Sequence, residues 1–401
     1  MASIERCQVL IAGAGPVGTV MATLLAKAGI DVIVLEAGED CAQDMRASTF
    51  HAPTLEMLDE IGITQMLLER GLKAPVYHWR DRQSGEFIDF DMAEIADRTR
   101  YPFRIQCEQY HLSRALASGL EQYPNASVRF GHKLLSFEQD DSGVSVAAET
   151  PYAVAHFRAD WLIGADGANS LVRKWLGTEF DGFTYPEKFF CLSTDTDLSD
   201  YLPNLAYVNY VSDPQEWLVL LRVPTLWRVL LPAAPDANDD ELRSDAMKTA
   251  VFDRLTGDGA AVKTQHRTVY RVHQRVAKSF LEGRVMLIGD ACHLNNPLGG
   301  FGMNSGVHDA FNLFEKLMPA IKEGKPNGSL ALFDRQRRLV THAFTQAQTM
   351  QNMEFIQGGS DQAHEKRRAD MQAIKQDDEK RRAYILRQAM FESLEQAAAI
   401  Q

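Results

Sequence analysis

One stretch of the chain, residues 289–306, combines residue types suited to holding a cofactor. It reads Gly-Asp-Ala-Cys-His-Leu-Asn-Asn-Pro-Leu-Gly-Gly-Phe-Gly-Met-Asn-Ser-Gly, and we call it the glycine loop. An apolar run over residues 285–288 predicts a buried strand before it, and apolar residues at helical spacing from Met303 to Ile321 predict a helix after it. Glycines at a helix start let a large flat ligand approach N–H groups that favour negative charge. The glycine loop therefore predicts a site for a flat, anionic cofactor.

A second glycine-rich turn, near the start of the chain, has the spacing of a dinucleotide-binding fingerprint. A short apolar strand over residues 7–12 leads into Gly13-Ala14-Gly15-Pro16-Val17-Gly18, and a helix and a second strand follow. In such a turn Gly13 makes the bend, Gly15 admits a pyrophosphate, and Gly18 lets the helix pack on the strand.

The acid at the end of the second strand narrows the choice of nucleotide. Glu36 lies 36 − 18 = 18 residues past Gly18, where a carboxylate accepts both hydroxyls of an adenosine ribose and disfavours a 2′-phosphate. The site therefore favours FAD or NAD over NADP. The predicted nucleotide contacts are Gly13, Gly15, Pro16, Val17, Gly18, Glu36 and Ala37.

The elements around these turns predict two domains and a helical tail. Another apolar strand, over residues 161–164, ends at Asp166-Gly167 before a helix that carries Arg173. Residues 182–276 are strand-like throughout and residues 72–100 contain short alternating runs, which together favour a mainly antiparallel sheet. We predict a discontinuous cofactor domain (1–72, 101–181 and 277–328), a substrate domain (73–100 and 182–276) and C-terminal helices (329–401).

Composition excludes several classes of function. A net charge of −12 opposes general affinity for nucleic acid or for an anionic membrane surface. The five cysteines show no Cys-x-x-Cys spacing, so neither a disulfide framework nor a metal site is expected. No run approaches the about 20 apolar residues that span a bilayer, and the N-terminus has no secretory pattern. We expect a cytoplasmic protein without membrane insertion; a homodimer stays open.

The chain closely resembles the flavoprotein aromatic hydroxylases of the para-hydroxybenzoate hydroxylase type. Three segments, in this order, carry the resemblance: the fingerprint with Glu36, the Asp166-Gly167 turn with Arg173, and the glycine loop with Asp290. The resemblance covers about residues 5–325. It implies an α/β fold: an FAD-binding Rossmann-like domain of the glutathione-reductase type, an inserted mainly antiparallel β-sheet substrate domain, and a C-terminal helical segment.

The resemblance also assigns cofactor contacts, residue by residue. Arg46 would reach the pyrophosphate and flavin, and Gln106 the ribityl chain. Asp166 would serve FAD and, indirectly, NAD(P)H, with Arg173 supporting the reductant face, while Asp290 would accept from a ribityl hydroxyl. The flavin ring would be walled by Pro297, Gly299, Gly300, Gly302, Met303 and Asn304. This chain departs from the family at Asn296, where a proline is frequent, and at Phe301, where a glutamine is frequent.

The implied activity is hydroxylation of an activated aromatic, a phenol or a hydroxylated aromatic acid, by an FAD-dependent monooxygenase that uses NAD(P)H and O₂. The route would be a flavin C4a-hydroperoxide, which survives only where water is excluded. A helix N-terminus at Gly302 would stabilise the anionic reduced flavin. The chain has no second dinucleotide fingerprint, so NADH or NADPH is expected to bind only transiently.

Residues that act on the substrate are harder to identify from the sequence. We select Tyr210 for contact with a phenol, Arg222 for a carboxylate, His51 for a proton relay and Pro297 beside the flavin. His293 is interpreted as a packed structural histidine.

Two other functions stay open: a flavin dehydrogenase or reductase of the same fold, and an FAD-holding interaction protein whose C-terminal helix recruits a partner. That helix repeats Glu-Lys-Arg-Arg-Ala at residues 365–369 and 379–383, a separation of 379 − 365 = 14 residues that predicts one helix face. We interpret this face as a solvated stripe of charge.

Overall fold

The computed structural model of the chain describes residues 4–43, 47–357 and 359–401. The strands within these residues are, in chain order, β1 (Ile4–Ala12), β2 (Val32–Leu35), β3 (Thr49–Phe50), β4 (Leu72–Ala74), β5 (Val76–Asp81), β6 (Phe87–Asp91), β7 (Arg104–Gln106), β8 (Ala126–Arg129), β9 (Lys133–Asp140), β10 (Gly143–Glu149), β11 (Val154–Gly164), β12 (Phe180–Thr194), β13 (Val208–Ser212), β14 (Leu218–Arg222), β15 (Trp227–Ala233), β16 (His266–Ala277), β17 (Leu281–Glu282), β18 (Val285–Leu287) and β19 (His293–Leu294).

The α-helices are α1 (Pro16–Lys27), α2 (Ala52–Glu60), α3 (Thr64–Arg70), α4 (Gln109–Gly119), α5 (Leu171–Leu176), α6 (Asp239–Leu242), α7 (Asp245–Thr256), α8 (Phe301–Glu323), α9 (Gly328–Val340), α10 (Ala347–Ile356), α11 (Asp361–Gln376), α12 (Asp378–Gln388) and α13 (Phe391–Ala399). A π-helical segment, Thr341–Gln346, joins α9 to α10. Within the described residues, no helix has both the length and the apolar character needed to cross a bilayer.

The first sheet holds the glycine turns. Its parallel strands run in the order β18-β11-β1-β2-β8, with β17 beside β18 and the β9–β10 hairpin paired to β11. Ala12 lies opposite both Leu35 and Gly164, and Gly164 lies opposite Leu287. The carboxyl ends of four neighbouring strands therefore meet at one edge, which is where open α/β sheets bind their ligands.

The first turn at this edge is possible only with glycine. Gly13 has a φ of +103°, and a Cβ atom on Gly18 would lie 2.0 Å from the Gly13 carbonyl oxygen. A side chain on Gly18 would push α1 away from the end of β1, and one on Gly13 would lie 2.4 Å from the Ala165 carbonyl oxygen after β11. The predicted roles of these two glycines in bending and close packing agree with this geometry.

The second sheet has the order β19-β16-β12-β15-β14-β13-β5-β6. All its neighbours are antiparallel except the β5–β13 pair. The mainly antiparallel sheet is thus confirmed, and it includes strands from both predicted segments. Because β19 lies within the glycine loop and pairs with β16, the loop joins the edges of the two sheets.

The prediction that residues 182–276 are strand-like throughout is wrong, because α6 and α7 interrupt the strands. The Ser244 side chain accepts a hydrogen bond from Met247 N–H (3.2 Å), and Gly257 ends α7 in the left-handed conformation. These caps favour a helix. Val251 and Phe252 then pack against one face of the second sheet.

The C-terminal helices cover the opposite face of the second sheet. Met371, Ile385 and Phe391 are buried in one apolar cluster with Trp79 and Phe90. The tail is therefore part of the core of the protein, and nothing in this packing favours a helix reserved for recruiting a partner.

One prediction about the charged repeat, its single helix face, is wrong. The predicted continuous helix is interrupted at Asp377, which lies between α11 and α12. The Asp377 side chain accepts a hydrogen bond from Lys380 N–H (3.0 Å) and so caps the start of α12. Three arginines of the repeat are partly exposed and pair with acids of the segments that flank β6. The pairs are Arg368–Glu86, Arg381–Glu94 and Arg382–Asp97, each at 2.7 Å.

Candidate active site

Three carboxylates follow neighbouring strands of the first sheet. Glu36, after β2, accepts from Ala14 N–H (2.8 Å) and Gly38 N–H (3.0 Å). Asp166, after β11, uses Oδ2 to accept from the first N–H groups of α5. Asp290, after β18, is exposed in a short 3-10 turn. The structure thus brings together the three acids that the sequence singled out.

The N-terminus of α1 opens onto free space at this edge. A Cβ atom on Gly15 would meet nothing within 4 Å, and no side chain caps the helix. Pro16 lies in the first turn of α1, and Val17, the next residue, is buried. Ala37, which follows Glu36 in the sequence, is exposed. Unpaired N–H groups with open space before them form an anion-binding site.

Among the residues that the resemblance assigns to FAD, two have a buried polar atom with no partner within the described residues: Asp166 Oδ1 and Gln106 Nε2. Burial raises the pKa of Asp166, although hydrogen bonds from Ser170 and from backbone N–H groups act against it. The other amide atom of Gln106 accepts from Thr49 Oγ1 (3.0 Å). An unpaired buried donor and acceptor are costly unless a ligand satisfies them. Together with the space above Gly15, they fit the FAD that the resemblance implies.

Arg173 connects two of the turns and makes its contacts inside the protein. Its guanidinium donates to the carbonyls of Ala291 and Ala168, both at 2.8 Å, and lies over the Phe180 ring at 3.9 Å. Burial lowers the pKa of this arginine. These contacts hold the Asp166 turn against the glycine loop, so Arg173 positions these two segments at the edge of the first sheet. Arg46 lies outside the described residues.

Beneath the glycine loop, a buried ion-pair network fixes its start. Asp309 of α8 accepts from Gly289 N–H (3.0 Å), from His293 Nε2 (2.7 Å) and from Arg337 Nε of α9 (2.6 Å). Burial alone would raise the pKa of Asp309, but the charges of His293 and Arg337 outweigh it and hold the pKa at about 2. His293 is accordingly a packed structural histidine, as predicted.

The middle of the glycine loop is fixed by Asn304. Its side chain accepts from His51 N–H (3.0 Å) and donates to the carbonyls of Thr49 (2.8 Å) and Gly300 (2.6 Å). Gly300, with a φ of +72°, precedes the first residue of α8. The amide of Asn304 is therefore occupied in shaping the loop, and the N-terminus of α8 begins beside it. Among the other predicted wall residues, Pro297 is exposed, Gly302 half-buried and Met303 buried.

The two departures from the family both face the C-terminal segment. Asn296 is fully buried and donates to Tyr185 Oη (3.0 Å) and to the Thr349 carbonyl (2.9 Å). The ring of Phe301 stacks on that of Phe344, with centroids 6.1 Å apart and an interplanar angle of 27°. The loop is thus fastened to the π-helical segment and α10, contacts that the sequence did not reveal.

Of the residues predicted to contact the substrate, His51 and Tyr210 lie on the same side of the second sheet, near Arg104, whereas Arg222 does not. His51 Nε2 donates to the Gly299 carbonyl (2.7 Å), and burial, together with the charge of Arg104, lowers its pKa. Tyr210 Oη accepts from Arg104 Nη1 (3.4 Å). Arg222 lies over Trp227 on the opposite face of the second sheet, and so cannot share a ligand with Tyr210.

Three residues near His51 and Tyr210 escaped the sequence analysis: Arg104, Tyr77 and Tyr384. Arg104 had a usable signal, because it lies two residues before Gln106 on β7 and therefore on the same side of that strand. Tyr77 on β5 and Tyr384 on α12 belong to no motif. Only the assembly of the second sheet with the C-terminal helices places them beside Arg104.

Comparison with known proteins extends this picture. The model of a family described as "FAD binding domain" matches residues 6–348. Para-nitrophenol 4-monooxygenase of Pseudomonas sp. (strain WBC-3) is 34% identical over 354 residues, which cover 87% of each chain. 6-hydroxy-3-succinoylpyridine 3-monooxygenase HspB of Pseudomonas putida (strain DSM 28022 / S16) is 34% identical over 335 residues, covering 82% of this chain and 84% of the relative.

A solved structure agrees over almost the whole chain. The crystal structure of p-nitrophenol 4-monooxygenase PnpA from Pseudomonas putida DLL-E4 superposes with a TM-score of 0.91 at 32% identity, covering 98% of this chain and 99% of that one. The likeness therefore includes the C-terminal helices, which the family model leaves out.

Proposed function

The chain belongs to the FAD binding domain family and is an FAD-dependent aromatic monooxygenase that uses NAD(P)H and O₂, and from that premise we propose that it hydroxylates a phenol with a single aromatic ring. The names of the two relatives specify a nitrophenol and a hydroxypyridine, both hydroxylated six-membered rings. Here Tyr77, Tyr210 and the fully buried Arg104 are grouped on the face of the second sheet that packs against Leu298 of the glycine loop, and such side chains are suited to contact one polar ring.

We propose that the edge of the first sheet holds FAD along its length. Gly15 and the N-terminus of α1 would face the pyrophosphate, Glu36 the ribose, Gln106 and Asp290 the ribityl chain, and Gly302 the flavin. Asp166 Oδ1 and Gln106 Nε2, both buried and unpaired within the described residues, support this placement. When bound, FAD supplies the redox chemistry: it accepts two electrons from NAD(P)H and activates O₂.

The protein's own residues position and shield the reaction. Asn304 fastens the glycine loop to β3 and the Asp309 network fixes the start of the loop, while Asn296 and Phe301 fasten it to the C-terminal segment. We propose that the C-terminal helices exclude water from the substrate, since Tyr384 reaches the substrate side from α12. The predicted limits of the cofactor and substrate domains are part of the same proposal.

The observation that carries the proposal is the meeting of the open α1 terminus, the unpaired Asp166 Oδ1 and three acids at one edge, with the adjoining glycine loop bonded to His51 N–H through Asn304. The test is FAD content and substrate-stimulated NAD(P)H oxidation across a panel of phenols, with oxygen-18 gas as the label. We expect the label in the hydroxylated product. A protein that takes up no FAD, or that oxidises NAD(P)H without labelling any phenol, would contradict the proposal.

The proposed FAD contact of Asp290 has a matched control. The Asp290→Ala variant should fold but lose FAD more readily on dialysis than the wild type, because a hydrogen bond to a charged group contributes about 1.5–3 kcal/mol. Asp258→Ala removes another exposed aspartate, at the end of α7 and away from the edge, and should retain FAD. Equal retention by both variants would refute the role of Asp290.

A further inference from the structure

The backbone of the glycine loop is held by amide side chains of the C-terminal segment. The Leu298 carbonyl accepts a hydrogen bond from Asn352 Nδ2 of α10 (3.2 Å), and the Leu294 carbonyl accepts one from Gln346 Nε2 of the π-helical segment (2.8 Å). The carbonyl next to Leu298, that of Gly299, accepts from His51 Nε2 (2.7 Å). The carbonyls of the loop are therefore fixed by residues that are distant from it in the sequence.

Gly299 and Asn352 are matched in shape. The φ of Gly299 is +98°, a conformation that favours glycine, and a Cβ atom at this position would lie 2.7 Å from Asn352 Nδ2. A side chain on residue 299 would therefore displace the Asn352 amide from the Leu298 carbonyl. This glycine admits a side chain of the protein itself, which is a second use of glycine in a loop that was predicted to admit a flat cofactor.

Gln388 of α12 fixes the Asn352 amide. Gln388 Nε2 donates to Asn352 Oδ1 (2.7 Å), and Asn352 Nδ2 donates in return to Gln388 Oε1 (3.3 Å). Gln348 Nε2 also donates to Asn352 Oδ1 (2.9 Å), and Arg387 Nε donates to Gln348 Oε1. The three amide side chains are buried. A fully paired buried polar network rigidifies the groups that it joins, so this one ties the backbone of the glycine loop to α12.

We propose that Asn352, fixed by Gln388, is a positioning residue for the flavin reaction, because it sets the place of the Leu298–Gly299 backbone in the loop that would wall the flavin. The inference rests on the proposed function and names two residues, on α10 and α12, that act through the glycine loop. If the loop moves, water reaches the flavin. NAD(P)H, a proton and O₂ then give NAD(P)⁺ and H₂O₂, and no phenol is hydroxylated. A misplacement of about 1 Å can slow a reaction about 100-fold, so a small movement is enough.

The main test is the Asn352→Leu holoenzyme, because leucine fills a similar volume but donates no hydrogen bond. NAD(P)H oxidation, hydroxylated product and H₂O₂ are measured with a phenol that the wild type hydroxylates. Hydroxylation should slow about 10- to 100-fold, with H₂O₂ accounting for the missing product. The visible circular dichroism of the bound FAD should also change, since the backbone beside the ring has moved. Wild-type product yield and an unchanged flavin spectrum in this variant would overturn the inference.

Gln388→Leu tests whether Asn352 acts together with α12. It leaves Asn352 free to reach Leu298 but removes the partner that fixes the amide, so the yield of product per NAD(P)H should fall by a smaller factor. The double variant should be no worse than Asn352→Leu alone, because both substitutions act through one contact. Full additivity of the two effects would refute the role of Gln388. If Asn352→Leu does not fold, the product yield and flavin spectrum of Gln388→Leu decide.

Asn125→Leu is the matched control for a general loss of stability. The half-buried Asn125 donates from Nδ2 to the carbonyls of Ala26 (3.1 Å) and Ile30 (2.7 Å). It precedes β8 and so lies at the amino ends of the parallel strands, opposite the cofactor edge. This variant should unfold at a lower denaturant concentration but keep the wild-type product yield and flavin spectrum.

Two outcomes separate this inference from the proposed function. An equal loss of product yield in Asn125→Leu and Asn352→Leu would overturn the inference, since the yield would then follow stability alone. A wild-type enzyme that labels no phenol would instead contradict the proposed function, and the flavin spectra of the variants would still test the position of the loop.

Discussion

Breaking the buried ion pair between Arg337 and Asp309 should destabilise the fold far more than breaking the neighbouring, partly exposed pair between Arg338 and Asp334. Arg337, on α9, is 1% exposed, and its Nε donates to Asp309 Oδ1 at 2.6 Å. The same carboxylate holds Gly289 N–H at the start of the glycine loop. In the Arg337→Met variant the side chain keeps most of its apolar stem but loses the guanidinium and its charge. Asp309 is left with His293 Nε2 as its remaining side-chain partner among the described residues.

The expected magnitude follows from this burial. Removing one partner of a buried pair typically costs about 3–5 kcal/mol of unfolding free energy. In the wild type, the pKa of Asp309 lies at about 2 instead of 3.8, which corresponds to about 2 kcal/mol of stability. Because the folded pKa is the lower one, this contribution is present above about pH 4 and is lost as pH falls toward 2. Without Arg337 the folded pKa rises, so the contribution should shrink at every pH and disappear at a higher pH.

The assay is denaturant unfolding at several pH values, with FAD retention measured in parallel. Arg338→Met is the matched control, because Arg338 is 28% exposed and its one ion pair within the described residues is with Asp334, one helical turn away; the substitution should cost about 0.5 kcal/mol. The double variant Asp309→Asn with Arg337→Met should be less destabilised than the two single effects added together, since neither buried charge is then left alone. Equal costs for Arg337→Met and Arg338→Met would refute the reasoning.

Two further predictions concern the cofactor edge and the tail. Gly18→Ala should abolish folding or FAD binding, because its Cβ atom would lie 2.0 Å from the Gly13 carbonyl oxygen, whereas Gly15→Ala should fold and only weaken FAD, since its Cβ atom meets nothing within 4 Å. Soluble expression with flavin absorbance checks both, and identical behaviour of the two variants would contradict the assigned roles. Removing residues 359–401 should expose the cluster around Trp79 and give aggregated protein; a soluble truncated flavoprotein with wild-type turnover would show that α11–α13 are dispensable.

The cofactor edge could be predicted from the sequence because it is built from short local patterns. A strand, a glycine turn and a helix fix where the Gly15 backbone faces, and parallel strands end at one edge, so the acids after β2, β11 and β18 had to meet. Glu36 and Asp166 lie where this rule places them. Arg46 is the predicted contact that falls outside the described residues, and its role stays a prediction.

The substrate side was decided by tertiary structure. Tyr210 and Arg222 both lie in the second sheet, but the register of β13 and β14 places them on opposite faces. Arg104 gains its environment from Tyr77 and Tyr384, which are far apart in sequence and meet only when α12 packs on the sheet.

The sequence by itself determined the cofactor, because a nucleotide is recognised by backbone geometry that consecutive residues encode. Tertiary structure alone decided which charges are buried and unpaired. The isolation of Arg104 and the pairing of Asp309 with Arg337 depend on desolvation by distant segments, and desolvation is a property of the packed fold that no local pattern contains.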